Sequence, residues 1–296
     1  MSERQQYYRG CLVGLAVGDA LGTTVEFQAR GSFTPMVDLV GGGVFRLKAG
    51  QWTDDTSMAL CLAASLIECD EFNAHDQMNR YLRWWKEGYM SSNGRCFDIG
   101  VTVSEALNQF LHTQDPFSGS THPLAAGNGS LMRLAPIALY YSDIKDLIHY
   151  AAESSRTTHG AKECLDACCY YATLLNQALL GKTKQQILST TLYQPITSKV
   201  AAIGQQEYRG KSVDEIKGSG YVVDCLEAAL WCFYHTESYA AAVLAAANLG
   251  DDADTTAAVC GQIAGAYYGL DNIPQQWRQC LVMYDEIVAM ADKLSA

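Results

Sequence analysis

Two clusters of carboxylates and hydroxyls, far apart in the chain, have side chains suited to binding hard cations. They are Trp52 to Thr56 (WTDDT) and Gly250 to Thr256 (GDDADTT). Each precedes an uncharged, helix-like run, and the N-terminus of a helix favours nearby anions. So many carboxylates repel one another unless a cation lies among them, and oxygen ligands suit magnesium, manganese or calcium better than zinc. The two clusters therefore predict a two-metal site with one cluster facing the other.

The composition of each cluster exceeds what helix capping requires. One acid or hydroxyl is enough to cap a helix, whereas Thr53 to Asp55 offers three such groups. In the second cluster, a non-helical turn would point Asp252, Asp254 and Thr255 the same way and leave Ala253 facing elsewhere. Two cations about 3.5–4 Å apart could polarise a water and hold the hydroxyls of a substrate. A calcium-storage loop would show regular spacing closed by a glutamate, which this sequence lacks.

Two further acids lie on glycine-flanked turns. Glu26 follows the helix-like run that ends in Gly18 to Thr24, and by itself this stretch favours a local cap by Asp19 and a solvated Glu26. If a metal site lies nearby, Glu26 would instead be part of that site or act on the water bound there. Asp98, within Gly94 to Val101 (GRCFDIGV), is open to the same two interpretations.

Three other motifs precede helix-like runs and could contact a phosphate or a base. Gly127 to Ser130 (GNGS) could expose backbone N–H groups to a phosphate, although such a turn is more often only a turn. His159, in Thr157 to Gly160 (TTHG), could bond a phosphate oxygen, although a lone histidine is more often structural. Tyr221 could be a core staple or a platform for a base.

Composition and charge narrow the classes of function. The 296 residues are 49% apolar and 18% charged, which indicates a globular protein, and the net charge of −11 argues against nucleic acid or anionic membranes as partners. No uncharged run reaches the length of a membrane span, and the polar start MSERQQYYRG predicts no signal peptide. The eleven cysteines have no metal-binding or disulfide spacing, so we expect buried, reduced thiols and a cytoplasmic protein.

Helical periodicity dominates the chain, and strand-like alternation is scarce. We predict an all-α fold of more than ten helices in one compact domain spanning residues 1–296. The predicted helices are Tyr8 to Leu21, Thr56 to Glu68, Asp76 to Tyr89, Leu131 to Tyr141, Lys162 to Leu180, Tyr221 to Tyr234, Tyr239 to Leu249 and Trp277 to Leu294. The predicted loops are Ala29 to Gln51, Met90 to Cys96, Thr113 to Asn128 and Thr191 to Gly220.

Taken together, the motifs resemble the ADP-ribosylglycohydrolase family, in particular its bacterial dinitrogenase-reductase-activating branch. The resemblance covers nearly the whole chain in the family's order, and its first and last motifs are the most specific. The matching segments are Gly10 to Phe27 (GCLVGLAVGDALGTTVEF), Trp52 to Leu60 (WTDDTSMAL), Gly127 to Leu139 (GNGSLMRLAPIAL), Thr158 to Gly160 (THG), Gly220 to Leu230 (GYVVDCLEAAL) and Gly250 to Gly269 (GDDADTTAAVCGQIAGAYYG).

The resemblance implies an all-α fold with two divalent cations, Mg²⁺ or Mn²⁺, at the bottom of an ADP-ribose cleft. The implied metal ligands are Thr53, Asp54, Asp55, Asp252, Asp254 and Thr255, with Asp251 outside the set. Glu26 would be a ligand or gate, and Asp98 would lie near the metals and the modified side chain. The residues expected to take part in catalysis are Glu26, Asp98, Asp55 and Asp254. The diphosphate and its neighbouring ribose would contact Gly100, Asn128, Gly129, Ser130 and His159, and Tyr221 would lie near the nucleotide.

The implied activity is hydrolysis of the glycosidic bond between mono-ADP-ribose and a protein side chain, with arginine as the expected residue. Either Glu26 or Asp98 could assist the leaving group. Alternatives are a hydrolase of serine-linked, O-acetylated or phosphorylated ADP-ribose, a pyrophosphatase that releases AMP, and a non-catalytic ADP-ribose-binding protein. The expected partners are ADP-ribose and an ADP-ribosylated protein, and a monomer is the favoured state.

Overall fold

The computed structural model describes residues 3–295. Fourteen α-helices and four short 3₁₀ helices make up the regular structure of these residues, and the only β-pairing among them consists of three isolated bridges. The helices are α1 (Glu3–Gly22), α2 (Asp54–Cys69), α3 (Ala74–Glu87), α4 (Val101–Thr113), α5 (Ala135–Tyr140), α6 (Ile144–Arg156), α7 (Lys162–Leu179), α8 (Lys184–Leu188), α9 (Ser198–Gly204), α10 (Val222–His235), α11 (Tyr239–Ala247), α12 (Ala253–Tyr268), α13 (Gln275–Cys280) and α14 (Tyr284–Leu294). The predicted all-α class and single compact domain are confirmed.

A buried pair of helices, α1 and α12, forms the centre of the domain. Small residues face each other along the whole contact, and a Cβ added at Gly10, Gly14 or Gly18 would lie only 2.2–2.4 Å from a carbonyl oxygen of α12. The two helices run antiparallel, because Gly10 meets Gly265 while Gly22 meets Ala253. This contact brings the C-terminal end of α1 beside the N-terminal end of α12, where the second acidic cluster lies.

The predicted bounds of two helices were wrong. The segment Leu131 to Tyr141 becomes helical only at Ala135, because Pro136 has no N–H to donate and fits only the first turn. The segment Trp277 to Leu294 is split into α13 and α14 by a turn at Leu281 to Met283. That turn is held by tertiary hydrogen bonds, since Val282 donates its N–H to Gly50 and accepts from the indole of Trp52.

Helices α4, α6, α8 and α9 were not predicted. Helix α6 is amphipathic and buries Leu147 and Ala151, so its apolar spacing was present in the sequence. Helix α9 and two short 3₁₀ turns lie within the predicted loop Thr191 to Gly220. None of these elements supplies an acid of the two clusters.

The thiols agree with the predicted reduced state. All eleven cysteines are free, and eight of them are buried.

Across residues 3–295, no helix combines the length and the apolar character needed to cross a membrane.

Candidate functional site

The N-termini of α2 and α12 lie next to each other, and Asp19 of α1 binds the first of them. One carboxylate oxygen of Asp19 accepts hydrogen bonds from the N–H (2.8 Å) and hydroxyl (2.9 Å) of Thr53. The other accepts from the N–H (3.0 Å) and hydroxyl (2.6 Å) of Thr56. Asp19 therefore caps a helix that begins 35 residues later, and the expectation of a local cap was wrong.

The two acidic clusters meet at this point. The Thr53 hydroxyl lies 3.2 Å from Oδ2 of both Asp55 and Asp254, and the Thr255 hydroxyl lies 3.4 Å from Oδ2 of Asp55. Asp55 and Asp254 are almost completely buried. Asp254 and Thr255 lie in the first turn of α12, with Asp252 as its N-cap, so the predicted non-helical turn was wrong. The facing arrangement itself is what the sequence indicated.

Glu26 and Asp98 approach the same centre from two loops. Carboxylate oxygens of Glu26, Asp98 and Asp254 lie within 4.8 Å of one another, and so do oxygens of Asp19, Asp55 and Asp254. Glu26 is 4% exposed, so it is not the solvated acid that its own stretch favoured. Asp98 is held in the left-handed region at φ 61°. The two groups of three acids share Asp254.

The chemistry of this donor set fits divalent cations. Burial, followed by repulsion from neighbouring carboxylates, raises the pKa of Glu26 to about 9, and burial is also the main cause that raises the pKa of Asp98 to about 7. Burial and like charges also hold the pKa values of Asp55 and Asp254 well above normal. Oδ1 of Asp55 and Oδ1 of Asp254 are buried without a hydrogen-bond partner. A cation would satisfy these oxygens and offset the repulsion.

We expect the stability of the metal-free protein to fall as the pH rises. Folding raises the pKa values of Asp19 (to about 6), Asp98 (about 7) and Glu26 (about 9) above the value of about 4 for an unfolded carboxyl. The folded state therefore binds more protons between pH 4 and 9, and the free energy of unfolding decreases across that window. Thermal melts in EDTA at pH 5, 7 and 9 measure this trend. Adding Mn²⁺ should flatten it, and a metal-free Tm that rises with pH would contradict this account.

The acidic centre forms part of the wall of a cavity of about 660 Å³. Most of the predicted site residues line this cavity. They are Glu26, Asp54, Asp98, Gly100, Asn128, Gly129, His159, Asp252, Asp254 and Thr255. Asp251 also lines it, but its side chain is exposed and its backbone is in the left-handed region at φ 55°.

The loop Gly127 to Ser130 forms another wall of the cavity. The Asn128 amide donates to Oδ2 of Asp252 at 2.7 Å, which ties this loop to the second acidic cluster. The Ser130 hydroxyl is buried and accepts from Ser155 at 2.8 Å, so it does not line the cavity. Within the described residues, the N–H groups of Gly129 and Ser130 have no protein acceptor. Free N–H groups on a glycine turn are suited to binding an anion.

The imidazole of His159 packs directly on this loop. A Cβ added at Gly129 would lie 2.7 Å from Cε1 of His159, so only glycine fits there without displacement. Burial, together with the charge of Arg133, lowers the pKa of His159 to about 3, so the ring is neutral at pH 7. Its Nδ1 lies 2.8 Å from the Thr158 hydroxyl.

Tyr221 lies in an adjoining cavity rather than in the acidic one. That second cavity, of about 870 Å³, shares Thr102, Gly127 and Gly220 with the first. The Tyr221 hydroxyl accepts from Lys199 at 2.8 Å and donates to Glu163. The two cavities adjoin at the three residues they share, with the acids in the first and Tyr221 in the second, and we refer to them together as the cleft.

Sequence reasoning did not assign to the site two buried charged residues that lie next to it, Asp19, which it interpreted as a local cap, and Arg133. Asp19 is the one charged residue in the run from Gly10 to Gly22, and an acid among buried glycines and alanines was a signal. Arg133 follows the Gly127 to Ser130 loop within the apolar segment that leads into α5, and its guanidinium is completely buried. A charge in an otherwise apolar segment requires a partner or a function.

Known proteins resemble this chain over its whole length. A sequence model of the ADP-ribosylglycohydrolase family matches residues 1–296. The ADP-ribosylarginine hydrolase Tri1 of Serratia proteamaculans (strain 568) is 44% identical over 99% of this chain and 80% of its own length. The ADP-ribosyl-[dinitrogen reductase] glycohydrolase of Rhodospirillum rubrum is 32% identical over 93% of this chain and 90% of its own. A solved structure described as an ADP-ribosylglycohydrolase-related protein complex superposes with a TM-score of 0.89, at 40% identity, covering 100% of this chain and 99% of that one.

The family that the motifs indicated is thus confirmed by the family match, by two bacterial relatives above 30% identity and by a closely superposing structure. The chain belongs to the ADP-ribosylglycohydrolase family and is a hydrolase.

Proposed function

We propose that this enzyme hydrolyses the N-glycosidic bond between ADP-ribose and an arginine side chain of a protein, and that it requires two divalent cations. The observation that carries the proposal is the buried carboxylate centre, with unpartnered oxygens on Asp55 and Asp254, in a cleft that has a glycine turn as another wall. The names of the Serratia and Rhodospirillum relatives support the arginine linkage and the glycohydrolase reaction.

The two cations would be Mg²⁺ or Mn²⁺, held by oxygen ligands from both helix N-termini. When bound, such ions lower the pKa of a water and orient sugar hydroxyls. The proposed ligands are Thr53, Asp54, Asp55, Asp252, Asp254 and Thr255, with Asp19 holding Thr53 in place.

The remaining residues of the cleft would bind the substrate and move protons. The free N–H groups of Gly129 and Ser130 would donate to the diphosphate, and Gly100, Asn128 and the neutral His159 would contact it or the neighbouring ribose. Carboxylate oxygens of Glu26 and Asp98 lie within 4.8 Å of Asp254 at the acidic centre, so either side chain could carry a proton to the guanidine that leaves. The base would occupy the cavity beside Tyr221.

A panel of linkages tests the substrate proposal. Arginine-ADP-ribosylated protein, serine-ADP-ribosylated protein, O-acetyl-ADP-ribose and ADP-ribose 1″-phosphate are incubated with the enzyme and Mn²⁺, and free ADP-ribose is measured by chromatography. We expect the arginine conjugate to be hydrolysed with the largest kcat/KM. A larger kcat/KM for any of the other three would contradict arginine as the modified residue. It would not contradict the proposed metal centre.

Replacing Gly129 with alanine is expected to weaken ADP-ribose binding. The added Cβ would lie 2.7 Å from the His159 ring, so either the ring or the turn must move. Overpacking of this kind costs about 1–3 kcal/mol, which the free variant relieves by displacing the turn. Binding must restore the strained geometry at that same cost, which corresponds to a roughly 5- to 150-fold rise in Kd by calorimetry. Gly127→Ala is the matched control, because its Cβ would lie 3.3 Å from the ring and should change Kd less. An unchanged Kd for Gly129→Ala would remove the turn from the binding site.

A further inference from the structure

The cleft presents an electrostatic problem if, as proposed above, its ligand carries a diphosphate. Six acids line the cavity: Glu26, Asp54, Asp98, Asp251, Asp252 and Asp254. Among the described residues that line this cavity there is no lysine or arginine, whereas Lys162 and Lys199 line the adjoining cavity beside Tyr221, and the chain as a whole carries a net charge of −11. Bound cations would offset charge at the ribose end of the cleft. The glycine turn that would receive the diphosphate has no charged side chain of its own.

Arg133 lies directly beneath this turn. Its side chain is 0% exposed, and its guanidinium donates to the carbonyl oxygen of Gly129 at 3.2 Å. It also donates to the carbonyl of Ser154 at 3.1 Å and to the hydroxyl of Thr157 at 3.2 Å. Its Nε has no partner, and the ring of Tyr81 lies 4.8 Å away. In the part of the chain that the structure describes, no acidic side chain forms an ion pair with Arg133.

A buried guanidinium without a carboxylate is costly, so its surroundings require an explanation. Ser154 and Thr157 lie at the C-terminal end of α6, where the helix dipole is negative, and the aromatic face of Tyr81 adds a weak attraction. These groups solvate the cation without neutralising it. Its field therefore persists at the turn, and the depressed pKa of His159 on the same turn has the charge of Arg133 as one of its causes.

The hydrogen bond to Gly129 also fixes the direction of a peptide group. A peptide bond is planar and trans, so a carbonyl that points at the guanidinium turns the next N–H, that of Ser130, the opposite way. That N–H is one of the two groups without a protein acceptor. The same side chain thus orients a donor and places a positive charge behind it.

We propose that Arg133 is a positioning residue for the diphosphate of ADP-ribose, acting through the Gly129–Ser130 peptide and through its own uncompensated charge. The proposal rests on the proposed function and adds a residue that does not touch the ligand. Removing the charge of Arg133 should weaken the binding of anionic ligands and leave the binding of neutral ligands unchanged. A residue that only stabilised the fold would affect both kinds of ligand alike.

The test compares ADP-ribose with adenosine, which lacks both phosphates, by calorimetry in Mg²⁺ buffer. For Arg133→Met we expect the Kd of ADP-ribose to rise at least about tenfold, since an unscreened charge at this range is worth that much or more, while the Kd of adenosine stays within about twofold. Arg133→Lys keeps the charge and should recover most of the affinity. Thr157→Val removes one hydrogen bond and keeps the charge, so its ratio of the two Kd values should match the wild type.

Equal loss for both ligands in Arg133→Met, or no loss for either, would overturn the proposal. If Arg133→Met does not fold, the proposal is tested by the NMR amide spectrum of the wild-type protein. ADP-ribose should shift the Gly129 and Ser130 N–H resonances strongly, and adenosine should not. Equal shifts with both ligands would contradict the proposal. A wild-type protein that binds no ADP-ribose at all would refute the proposed function as well, whereas wild-type binding that Arg133→Met leaves intact refutes this inference alone.

Discussion

Asp254→Asn is expected to reduce the rate of ADP-ribose release on the order of 10³-fold, because a metal centre contributes several kcal/mol to the transition state. Asp254 belongs to both groups of three acids, and its Oδ1 is buried without a partner. The asparagine has nearly the same volume but carries no charge, so it weakens cation binding without opening a cavity. The measurement is the initial rate with an arginine-ADP-ribosylated protein at saturating Mn²⁺.

Thermal melts separate loss of metal from damage to the fold. In EDTA, we expect the Tm of Asp254→Asn to equal or exceed that of the wild type, because one of several mutually repelling buried carboxylates has been removed. The rise in Tm on adding Mn²⁺ should be lost. Asp251→Asn, an exposed acid that precedes the N-cap of α12, is the matched control and should behave as wild type. Wild-type activity and a wild-type Mn²⁺ response in Asp254→Asn would exclude this acid from the centre.

Gly18→Val is expected to destabilise the protein by at least about 3 kcal/mol, a large fraction of the roughly 5–15 kcal/mol by which native proteins are stable. A Cβ at Gly18 would lie 2.2 Å from the carbonyl oxygen of Ala257 and 2.6 Å from its carbonyl carbon. The backbones of α1 and α12 would have to separate, and both are buried at the centre of the domain. Denaturant unfolding followed by circular dichroism measures the loss.

The loss of stability should increase with the size of the side chain introduced, and it should be specific to the contact between α1 and α12. Gly18→Ala adds one methyl group at the same place and should destabilise less than valine. Gly210→Ala serves as the control, since a Cβ there meets nothing within 4 Å. If Gly18→Val unfolded at the same denaturant concentration as the wild type, the close approach of the two helices would not be what holds the site together.

The parts of this protein that could be predicted from sequence are those encoded locally. Thr53 to Asp55 and Asp252 to Thr255 stand at helix starts with more oxygen ligands than a cap requires, and the structure brings them face to face. Helix α7 also had clear periodicity, and the uncharged run after the second cluster indicated α12. Spacing and residue type were sufficient for these conclusions.

What the sequence did not reveal depends on contacts between distant segments. Asp19 caps α2 across 34 positions, which no local motif records. The break between α13 and α14 is held by hydrogen bonds to Gly50 and Trp52, and without those partners the segment reads as one helix. The buried guanidinium of Arg133 is held by hydrogen bonds to Ser154 and Thr157 at the end of α6, more than 20 residues further along the chain. Each of these features requires the fold to be known first.

The most direct test of the central claim is the product released from an arginine-ADP-ribosylated protein with and without metal. The enzyme is treated with EDTA, dialysed, and assayed alone and after addition of Mg²⁺ or Mn²⁺, with the products separated by chromatography. We predict no release without metal, and release of intact ADP-ribose together with unmodified arginine once either cation is restored. Release that EDTA does not diminish, or AMP in place of ADP-ribose, would contradict the proposed metal-dependent glycohydrolase.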